Sequence, residues 1–260
     1  MKLANRIALV TGGGRGIGRA IALAFAKEGA DIVVAARSLA QVESAAQEVA
    51  YQYRVKSLPV ACDVSDVTSV EAMFKQAQEH WGRGPDILVN NAGIAESAPI
   101  TKTGDELWQK HLAINLSGSF YCTRAALPAM IDRSWGRIIN IASIAGKIGA
   151  PYIAAYSASK HGLLGLTRCT ALEVAAKGIT ANAICPGYVD TEMTTRGVEN
   201  ITRKTGRSAE EAMAAIRKMS PQDRLVTSEE VAELALLLAS EAGGAINGQA
   251  INVDGGSVLF

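Results

Sequence analysis

The chain has 260 residues, enough for one large α/β domain or two small ones, and it can bury a sizeable core. Hydrophobic residues make up 48% and charged residues 20% of the sequence, which is typical of globular proteins and excludes a disordered chain. The formal net charge is +1, from 26 basic and 25 acidic side chains, so there is no strong field to hold a nucleic acid or an anionic membrane.

Short apolar runs alternate along the chain with longer amphipathic segments. Strands are predicted at 6–11, 31–36, 57–62, 86–90, 136–143, 179–185 and 248–254. Most of these runs are almost continuously apolar, as parallel strands covered on both faces are. Helices are predicted at 16–28, 39–53, 66–81, 104–133 with a break near Gly118, 155–177 and 227–240. This alternation predicts right-handed crossovers and a doubly wound parallel sheet of the Rossmann-like α/β class.

No linker or low-complexity segment interrupts the pattern, so residues 1–260 are predicted to form a single domain. Asp66 and Thr227 are the predicted N-caps of two helices. Residues 191–224 depart from the pattern, because they are polar, partly basic and do not return at once to the sheet. An excursion of this length is usually functional, and a helical substrate lid is predicted. A surface helical hairpin with solvated charges is the alternative.

The four cysteines, Cys62, Cys122, Cys169 and Cys185, are far apart in the sequence and form no cluster of zinc-binding spacing. Reduced thiols and no metal site are therefore predicted. The apolar run near the N-terminus ends at Thr11, too early for a signal peptide, and no later segment is long enough to span a bilayer. These features predict a cytoplasmic protein without membrane or nucleic-acid partners.

The segment TGGGRGIG at 11–18 follows the first predicted strand and opens the first predicted helix. Its glycines permit a tight turn and a close approach of the backbone to a pyrophosphate, whose charge then lies at the helix N-terminus. Gly12, Gly16 and Gly18 follow a TGxxxGxG spacing rather than GxGxxG. A purely structural turn is the alternative, but the position within a βαβ unit favours dinucleotide binding.

The segment YSASK places Tyr156 and Lys160 four residues apart, on one face of a predicted helix. The ordinary pKa of tyrosine, about 10, is too high for easy proton transfer near neutral pH, and a nearby ammonium is expected to lower it. Ser143 ends a predicted strand, where ligand sites of α/β sheets lie, so its hydroxyl can hydrogen-bond a substrate oxygen. His161 is turned away from this face and is predicted to be packed or at the surface. A half-buried tyrosine beside a solvated lysine is the alternative.

Several motifs occur in order along the chain: TGGGRGIG, CDV at 62–64, NNAG at 90–93, Asn115, Ser143, YSASK at 156–160 and PGYVDT at 186–191. Together they resemble the short-chain dehydrogenase/reductase family. The resemblance extends from residue 6 to VDGG at 253–256. It implies an oxidoreductase that interconverts a ketone and a secondary alcohol with NAD(P)(H), requires no metal and usually forms a homotetramer through its fourth and fifth long helices.

The resemblance also implies roles for individual residues. The implied catalytic residues are Asn115, Ser143, Tyr156 and Lys160. In the family the lysine also binds the nicotinamide ribose, and the asparagine holds a water that links the lysine to solvent. The implied cofactor-binding residues are Gly12, Arg15, Gly16, Ile17, Gly18, Asp63, Val64, Asn90, Ala92, Gly93, Tyr156, Lys160, Pro186, Gly187, Val189 and Thr191. Asn91 is expected to brace the sheet.

The end of the second predicted strand bears on the choice of cofactor. An NAD-specific site needs a carboxylate there to accept from the ribose hydroxyls, and that position is Ala36. Arg37 follows, and Arg15 lies in the glycine-rich turn facing the same pocket. Two guanidiniums suit a dianionic phosphate better than a hydroxyl, so a preference for NADP(H) is predicted, with NAD(H) also usable. Arginines that stack on the adenine or point to solvent are the alternative.

The overall pattern is similar to 3-oxoacyl and acetoacetyl-CoA reductases of the family, and a 3-oxoacyl or 3-hydroxyacyl thioester is the expected substrate. Segment 195–209 has four basic side chains against one acidic: Arg196, Arg203, Lys204 and Arg207 against Glu199. This excess of positive charge suits the phosphates of coenzyme A or a carrier arm, although a solvated helix face is the alternative. A cyclic alcohol, dihydrodiol, sugar or hydroxysteroid is the alternative substrate, and a nucleotide-sensing binding protein is the remote alternative to an enzyme.

Overall fold

A computed structural model describes residues 1–260 and contains one sheet of seven parallel strands. The strands are β1 (Ile7–Thr11), β2 (Asp31–Ala36), β3 (Ser57–Ala61), β4 (Ile87–Asn90), β5 (Gly136–Ile141), β6 (Ile179–Pro186) and β7 (Ala250–Val253). Their order across the sheet is β3-β2-β1-β4-β5-β6-β7, so the winding reverses between β1 and β4. Ligands of open α/β sheets bind at such a switch point, outside the carboxyl ends of the strands. The predicted Rossmann-like fold is confirmed.

Helices cover both faces of the sheet. They are α1 (Gly16–Lys27), α2 (Leu39–Tyr53), α3 (Val67–Trp81), α4 (Asp105–Leu112), α5 (Gly118–Asp132), α6 (Ala154–Val174), α7 (Glu192–Thr205), α8 (Ala209–Arg217) and α9 (Ser228–Ala239). One apolar cluster joins the sheet to α1, α2 and α9, and a second joins its other face to α3, α5 and α6. Because the central strands are buried on both faces, they are continuously apolar rather than alternating.

Local chemistry sets the ends of several elements. The Asp66 carboxylate accepts a hydrogen bond from the Thr68 amide at 3.0 Å, and Thr227 forms a capping box with Glu230, as N-caps do. Strand β5 ends at Ile141, two residues before the predicted end. It stops there because the Ser143 hydroxyl accepts from the Ala145 amide at 3.1 Å and starts a 3-10 turn.

The break predicted near Gly118 is wrong. A π-helical turn, Ala113–Ser117, joins α4 to α5, and Gly118 itself keeps a helical backbone with φ of −60°. A Cβ on Gly118 would lie 2.8 Å from the Val64 side chain, so the glycine permits close packing rather than a bend. Single π turns inside α-helices are frequent at functional sites, and this one contains Asn115.

The segment 191–224 contains α7 and α8, with a small apolar cluster between them formed by Val198, Ala212 and Ile216. On its other side, α7 contacts the loop that follows β4. The Asn200 amide donates to the Ser97 hydroxyl at 3.0 Å, and the Lys204 ammonium donates to the Ser97 carbonyl at 3.2 Å. The segment therefore lies beside the carboxyl ends of the strands, and its action as a lid stays a prediction.

Three of the four cysteines, Cys62, Cys122 and Cys185, are buried, and Cys169 is exposed. All four are free thiols, as predicted. None of the helices combines the length and the apolar character that crossing a bilayer requires.

Gly178 and Gly206 both have a left-handed backbone, with φ of +71° and +74°. Replacing each with alanine tests whether backbone strain or steric overlap makes glycine necessary there. A Cβ on Gly178 would lie 2.3 Å from the Ser134 carbonyl oxygen, whereas a Cβ on Gly206 would meet no atom within 4 Å. We expect Gly206→Ala to lower the free energy of unfolding by ~1 kcal/mol through backbone strain. Gly178→Ala should lower it by ~2 kcal/mol more, through overpacking. Urea unfolding measures both; equal losses would show that the Ser134 contact relaxes freely.

Candidate active site

The glycine-rich turn lies between β1 and α1, against the end of β4. Gly12 and Gly16 adopt left-handed φ values of +62° and +52°. Asn91 is expected to brace the sheet, and its side-chain amide donates to the carbonyls of Thr11, at the end of β1, and of Gly12 in the turn, each at 3.0 Å. A Cβ on Gly18 would lie 2.4 Å from the same amide nitrogen. The glycines are therefore required for the turn to close on Asn91.

The N-terminus of α1 suits an anionic group. Arg15 is its N-cap residue but gives no side-chain cap, and the first turn contains no acidic residue. The first amides of the helix, which include those of Gly16, Ile17 and Gly18, have no partner within the helix. Their N–H groups and the helix dipole favour a phosphate at this position. The turn therefore fits the diphosphate of a dinucleotide.

The carboxyl ends of β2 and β3 form the far end of the crevice. Ala36 ends β2, so no carboxylate stands there, and Arg37 is exposed and forms no ion pair. Burial raises the pKa of Asp63, but two hydrogen bonds from Ser65 and the charge of Arg37 outweigh it and hold the pKa below its ordinary value. Arg37 and the Asp63 carboxylate thus lie close enough to interact. Val64 is buried beside Asp63.

Arg15 is engaged by a partner that no motif indicates. Its guanidinium forms an ion pair with Glu192, the first residue of α7, and Glu192 also contacts Arg196 at 3.2 Å. Thr191, which precedes α7, brings its methyl group to 3.3 Å from where a Cβ on Gly16 would lie. The start of α7 therefore lies directly against the glycine-rich turn.

The segment after β4 contributes main-chain rather than side-chain groups to the crevice. The Asn90 side chain is buried, and its amide nitrogen donates to the Asn140 side-chain oxygen at 2.9 Å and to the Thr123 hydroxyl at 3.2 Å. Its side chain thus joins β4 to β5 and α5. The Ala92 amide donates to the Thr11 hydroxyl at 3.1 Å, which fixes the path of the chain towards Gly93.

Gly93, Asn115 and Lys160 come together from three separate elements. A Cβ on Gly93 would lie 3.2 Å from the Asn115 amide oxygen and 3.7 Å from the Lys160 nitrogen. The buried Asn115 side chain accepts from the Ile94 amide at 2.9 Å and donates to the Ile94 carbonyl and the Ser159 hydroxyl, each at 3.0 Å. Both amide hydrogens are used, so this side chain braces the loop after β4 against α6.

Lys160 is buried, and its ammonium donates to the Ile141 carbonyl at 2.7 Å. The nitrogen lies 5.8 Å from the centroid of the Tyr156 ring. Burial lowers the pKa of Lys160 to about 8, because the charged form loses hydration in the interior. Lys160 is therefore still protonated at neutral pH, but it loses its proton at a lower pH than an exposed lysine does.

The pKa of Tyr156 departs from the expectation. Burial raises this pKa, and a hydrogen bond with the Ser143 side chain opposes the increase without cancelling it. The prediction that Lys160 lowers the pKa of Tyr156 is wrong for the protein without cofactor. The Lys160 ammonium donates to the Ile141 carbonyl, and the loss of hydration of the phenolate dominates. Ser143 and Tyr156 are brought together, as predicted from their positions in the chain.

A buried histidine beside the tyrosine was not indicated by any motif. The His111 Nε2 accepts from the Glu96 amide at 3.1 Å, and its Nδ1 donates to the Leu107 carbonyl at 2.8 Å. Its ring meets that of Tyr156 edge to face, with centroids 6.3 Å apart. A single histidine on an amphipathic helix has no distinguishing spacing, so only the structure reveals it. His161 is exposed, as predicted.

The end of β6 closes the crevice on the side of α7. The Gly187 amide donates to the Val253 carbonyl at 3.0 Å, which extends the pairing of Pro186 beyond the strand. Val189 then pairs with Val226 in an isolated bridge. Together with Thr191, this path brings the segment back over the glycine-rich turn. The residues predicted for the site therefore come from turns and strand ends, from the π turn, and from the helices α1 and α6.

Comparisons with known proteins identify the family. The family model described as Enoyl-(Acyl carrier protein) reductase matches residues 12–257. The chain is 42% identical to the D-beta-hydroxybutyrate dehydrogenase of Cupriavidus necator, over 98% of this chain and 99% of that protein. It is 39% identical to the 3-oxoacyl-(acyl-carrier-protein) reductase of a Synechocystis species, over 99% of both chains.

A crystal structure of a variant actinorhodin polyketide ketoreductase with NADPH has a TM-score of 0.94 and 39% identity to this chain, over 98% of both chains. The chain belongs to the short-chain dehydrogenase/reductase family, oxidoreductases that act on CH–OH groups with NAD(P). The family resemblance and the class of enzyme predicted from the motifs are confirmed.

The pKa of Lys160 has a consequence for stability. Its value of about 8 in the folded protein lies below the ordinary 10.5, so the unfolded chain binds more protons between these pH values and stability rises with pH. We expect Lys160→Met to be the more stable protein at pH 7. Its advantage over the wild type should shrink as pH rises from 8 to about 10, by roughly 3 kcal/mol at most. Urea unfolding of both proteins across this pH range gives the difference in their free energies of unfolding, which reports the contribution of Lys160. A difference that does not change with pH would contradict the lowered pKa.

Proposed function

We propose that the protein is an NADP(H)-dependent reductase that interconverts a 3-oxoacyl and a 3-hydroxyacyl thioester. The main support is the cluster of Ser143, Tyr156 and Lys160 at the carboxyl ends of the strands, beside a turn that fits a dinucleotide diphosphate. A nucleotide-sensing protein would not need a half-buried phenol next to an ammonium. The cluster therefore favours an enzyme over a sensor.

A nicotinamide cofactor bound at the turn would supply the hydride for reduction of a ketone. Tyr156 donates its proton to the ketone oxygen as negative charge builds there, and Ser143 donates a hydrogen bond to the same oxygen. Because burial raises the pKa of the phenol, Tyr156 keeps its proton at neutral pH. A proton donor must be in that state to act in the direction of reduction.

Lys160 and Asn115 support Tyr156 in different ways, the lysine through its charge and the asparagine through the segments that it holds in place. The buried ammonium of Lys160 stabilises the phenolate that remains after proton transfer. It also lies close to Gly93. The family resemblance has the lysine itself bind the nicotinamide ribose. Asn115 fixes the loop that contains Gly93 and Ile94, and the Ser159 hydroxyl on the helix of the lysine. A water that links the lysine to solvent would contact main-chain groups here, because the amide hydrogens of Asn115 are used.

The thioester part of the proposal depends on charge near the crevice. Arg196 shares the Glu192 carboxylate with Arg15, whereas Arg203, Lys204 and Arg207, at the C-terminal end of α7 and just beyond, are exposed and form no ion pair. Lys204 contacts the loop after β4 through Ser97, which puts this charge at the rim of the crevice. Phosphates of coenzyme A or of a carrier arm are the anions that such a rim would bind.

The relatives support the same class of substrate. The names of both relatives, 3-oxoacyl-(acyl-carrier-protein) reductase and D-beta-hydroxybutyrate dehydrogenase, refer to compounds with oxygen at the β carbon, and the first name refers to an acyl thioester. The preference for NADP(H) is supported by Ala36 in place of a carboxylate and by Arg37, which has no acidic partner in an ion pair. The related ketoreductase structure contains NADPH.

A panel of ketones assayed with NADPH tests the function. We expect reduction of acetoacetyl-CoA with a kcat/KM about tenfold or more above that of cyclohexanone or a ketose, because only the thioester reaches the basic rim.

Tyr156→Phe should lower kcat about 100-fold or more while the Kd for NADPH changes less than about twofold, since only the proton donor is lost. Nicotinamide absorbance measures turnover, and nucleotide fluorescence measures binding.

Two results would contradict this assignment. Retention of about a tenth of the normal rate by Tyr156→Phe would remove the tyrosine from its role as proton donor. Faster turnover of cyclic ketones, dihydrodiols, hydroxysteroids or sugars than of the thioester would leave an oxidoreductase but not the thioester reductase proposed.

The cofactor preference is tested at Arg37. We expect Arg37→Ala to weaken NADPH binding about tenfold or more and to leave NADH binding nearly unchanged, because the guanidinium contacts only a 2′-phosphate. Arg54→Ala is the matched control, since this exposed arginine lies at the other end of α2, about 22 Å away along the helix. Fluorescence titrations give the four Kd values. Tighter binding of NADH than NADPH by the wild-type protein would overturn the preference.

A further inference from the structure

An acidic side chain stands at the mouth of the predicted phosphate site. Glu192 begins α7, and its carboxylate contacts the Arg15 guanidinium of the glycine-rich turn. It also contacts Arg196 one helical turn further along α7, at 3.2 Å. The side chains of Arg15 and Glu192 are 46% and 58% exposed, so solvent and an incoming ligand can reach the ion pair.

The carboxylate is poorly placed for an anionic ligand. The N-terminus of α1 carries partial positive charge, and Arg15 adds a full positive charge beside it. Glu192 cancels that full charge where a phosphate would bind. If Arg15 served only to attract the cofactor, an uncharged residue at position 192 would suit it better.

We propose that Glu192 weakens dinucleotide binding because it forms an ion pair with Arg15, and that a cofactor phosphate must displace Glu192 before it can contact the Arg15 guanidinium. The proposal rests on the proposed function in one respect, that a nicotinamide dinucleotide binds at the glycine-rich turn. Glu192 is then a residue that sets cofactor affinity, and it acts through Arg15 rather than by touching the cofactor.

The exchange of partners is chemically balanced. A phosphate has more charge and more acceptor oxygens than a carboxylate, and at this position it also receives the amides of α1, so it displaces Glu192 from Arg15. Glu192 does not lose its only partner, because Arg196 remains within contact distance on the same helix. No buried charge is left unpaired in either state.

Weakened binding has a use in turnover. Each cycle requires the spent dinucleotide to leave, and product release limits the rate of many enzymes. A carboxylate that recaptures Arg15 competes with the departing phosphate. The same contact ties the first turn of α7 to the cofactor site, while the far end of α7 is held separately through Ser97. Cofactor binding is thereby coupled to the attachment of α7.

A double-mutant cycle with NADPH, without substrate, tests the proposal. We expect Glu192→Gln to lower the Kd for NADPH about two- to fivefold, the range of an exposed ion pair. In the Arg15→Ala background the same substitution should change the Kd by less than about 1.5-fold, since there is no guanidinium to release. Glu199→Gln is the matched control, because Glu199 is exposed on the same helix and forms no ion pair.

The possible results separate the explanations. Equal tightening in the presence and absence of Arg15 would mean direct repulsion of the phosphate by Glu192 and would overturn the proposal. Weaker binding by Glu192→Gln would make the ion pair a clasp over the cofactor, which also overturns it. Failure of the wild-type protein to bind NADPH would overturn the proposed function as well, whereas binding without coupling would overturn only the role of Glu192. Thermal unfolding of each variant checks that it is folded.

Discussion

The site depends on one close approach, that of the turn after β1 to the end of β4. The Asn91 amide donates to two carbonyls of the turn, and the Thr11 hydroxyl accepts from the amides of Asn91 and Ala92 at 3.0 and 3.1 Å. These bonds join the strands between which the winding of the sheet reverses. Because these two segments are held together there, the N-terminus of α1 faces a crevice of fixed width. A side chain on the turn would separate them, which explains the glycines.

A second asparagine extends the same constraint to the catalytic residues. Asn91 holds the beginning of the segment after β4, and Asn115 holds it three residues later through both polar groups of Ile94. Asn115 is further tied to Ser159 on α6, the helix of Tyr156 and Lys160. A fully satisfied buried amide fixes its neighbours in one arrangement. The position of the lysine is therefore set by the same loop that borders the cofactor turn.

Much of this architecture follows from patterns that act locally. The apolar runs predict all seven strands, since the central strands are buried on both faces and are mostly apolar. Asp66 and Thr227 are identifiable as caps because capping involves neighbours within one turn. The π turn at Ala113–Ser117 is different. The same residues would form an ordinary α-helix, and the extra residue is accommodated only because the turn packs against distant segments.

Long-range features were beyond the reach of such patterns for a physical reason. Arg15 and Glu192 are 177 positions apart, and nothing near either residue indicates that they meet. The spacing of Tyr156 and Lys160 correctly puts them on one helix, but it contains no information on burial. Burial, rather than the neighbouring charge, decides the direction of the tyrosine pKa. Motifs thus identify the candidate residues, whereas their electrostatic state depends on the whole fold.

The electrostatic state of the pair bears on what the site can do. At neutral pH the half-buried Tyr156 phenol with its raised pKa keeps its proton, and a lysine with a pKa of about 8 is still mostly charged. The two side chains together therefore carry one positive charge in a poorly hydrated place. Such a place stabilises negative charge that develops on a nearby oxygen, since few waters compete for it. A neutral phenol beside an ammonium is thus one arrangement that can stabilise charge on a developing oxyanion, and the forward and reverse reactions share that benefit because they pass through the same transition state.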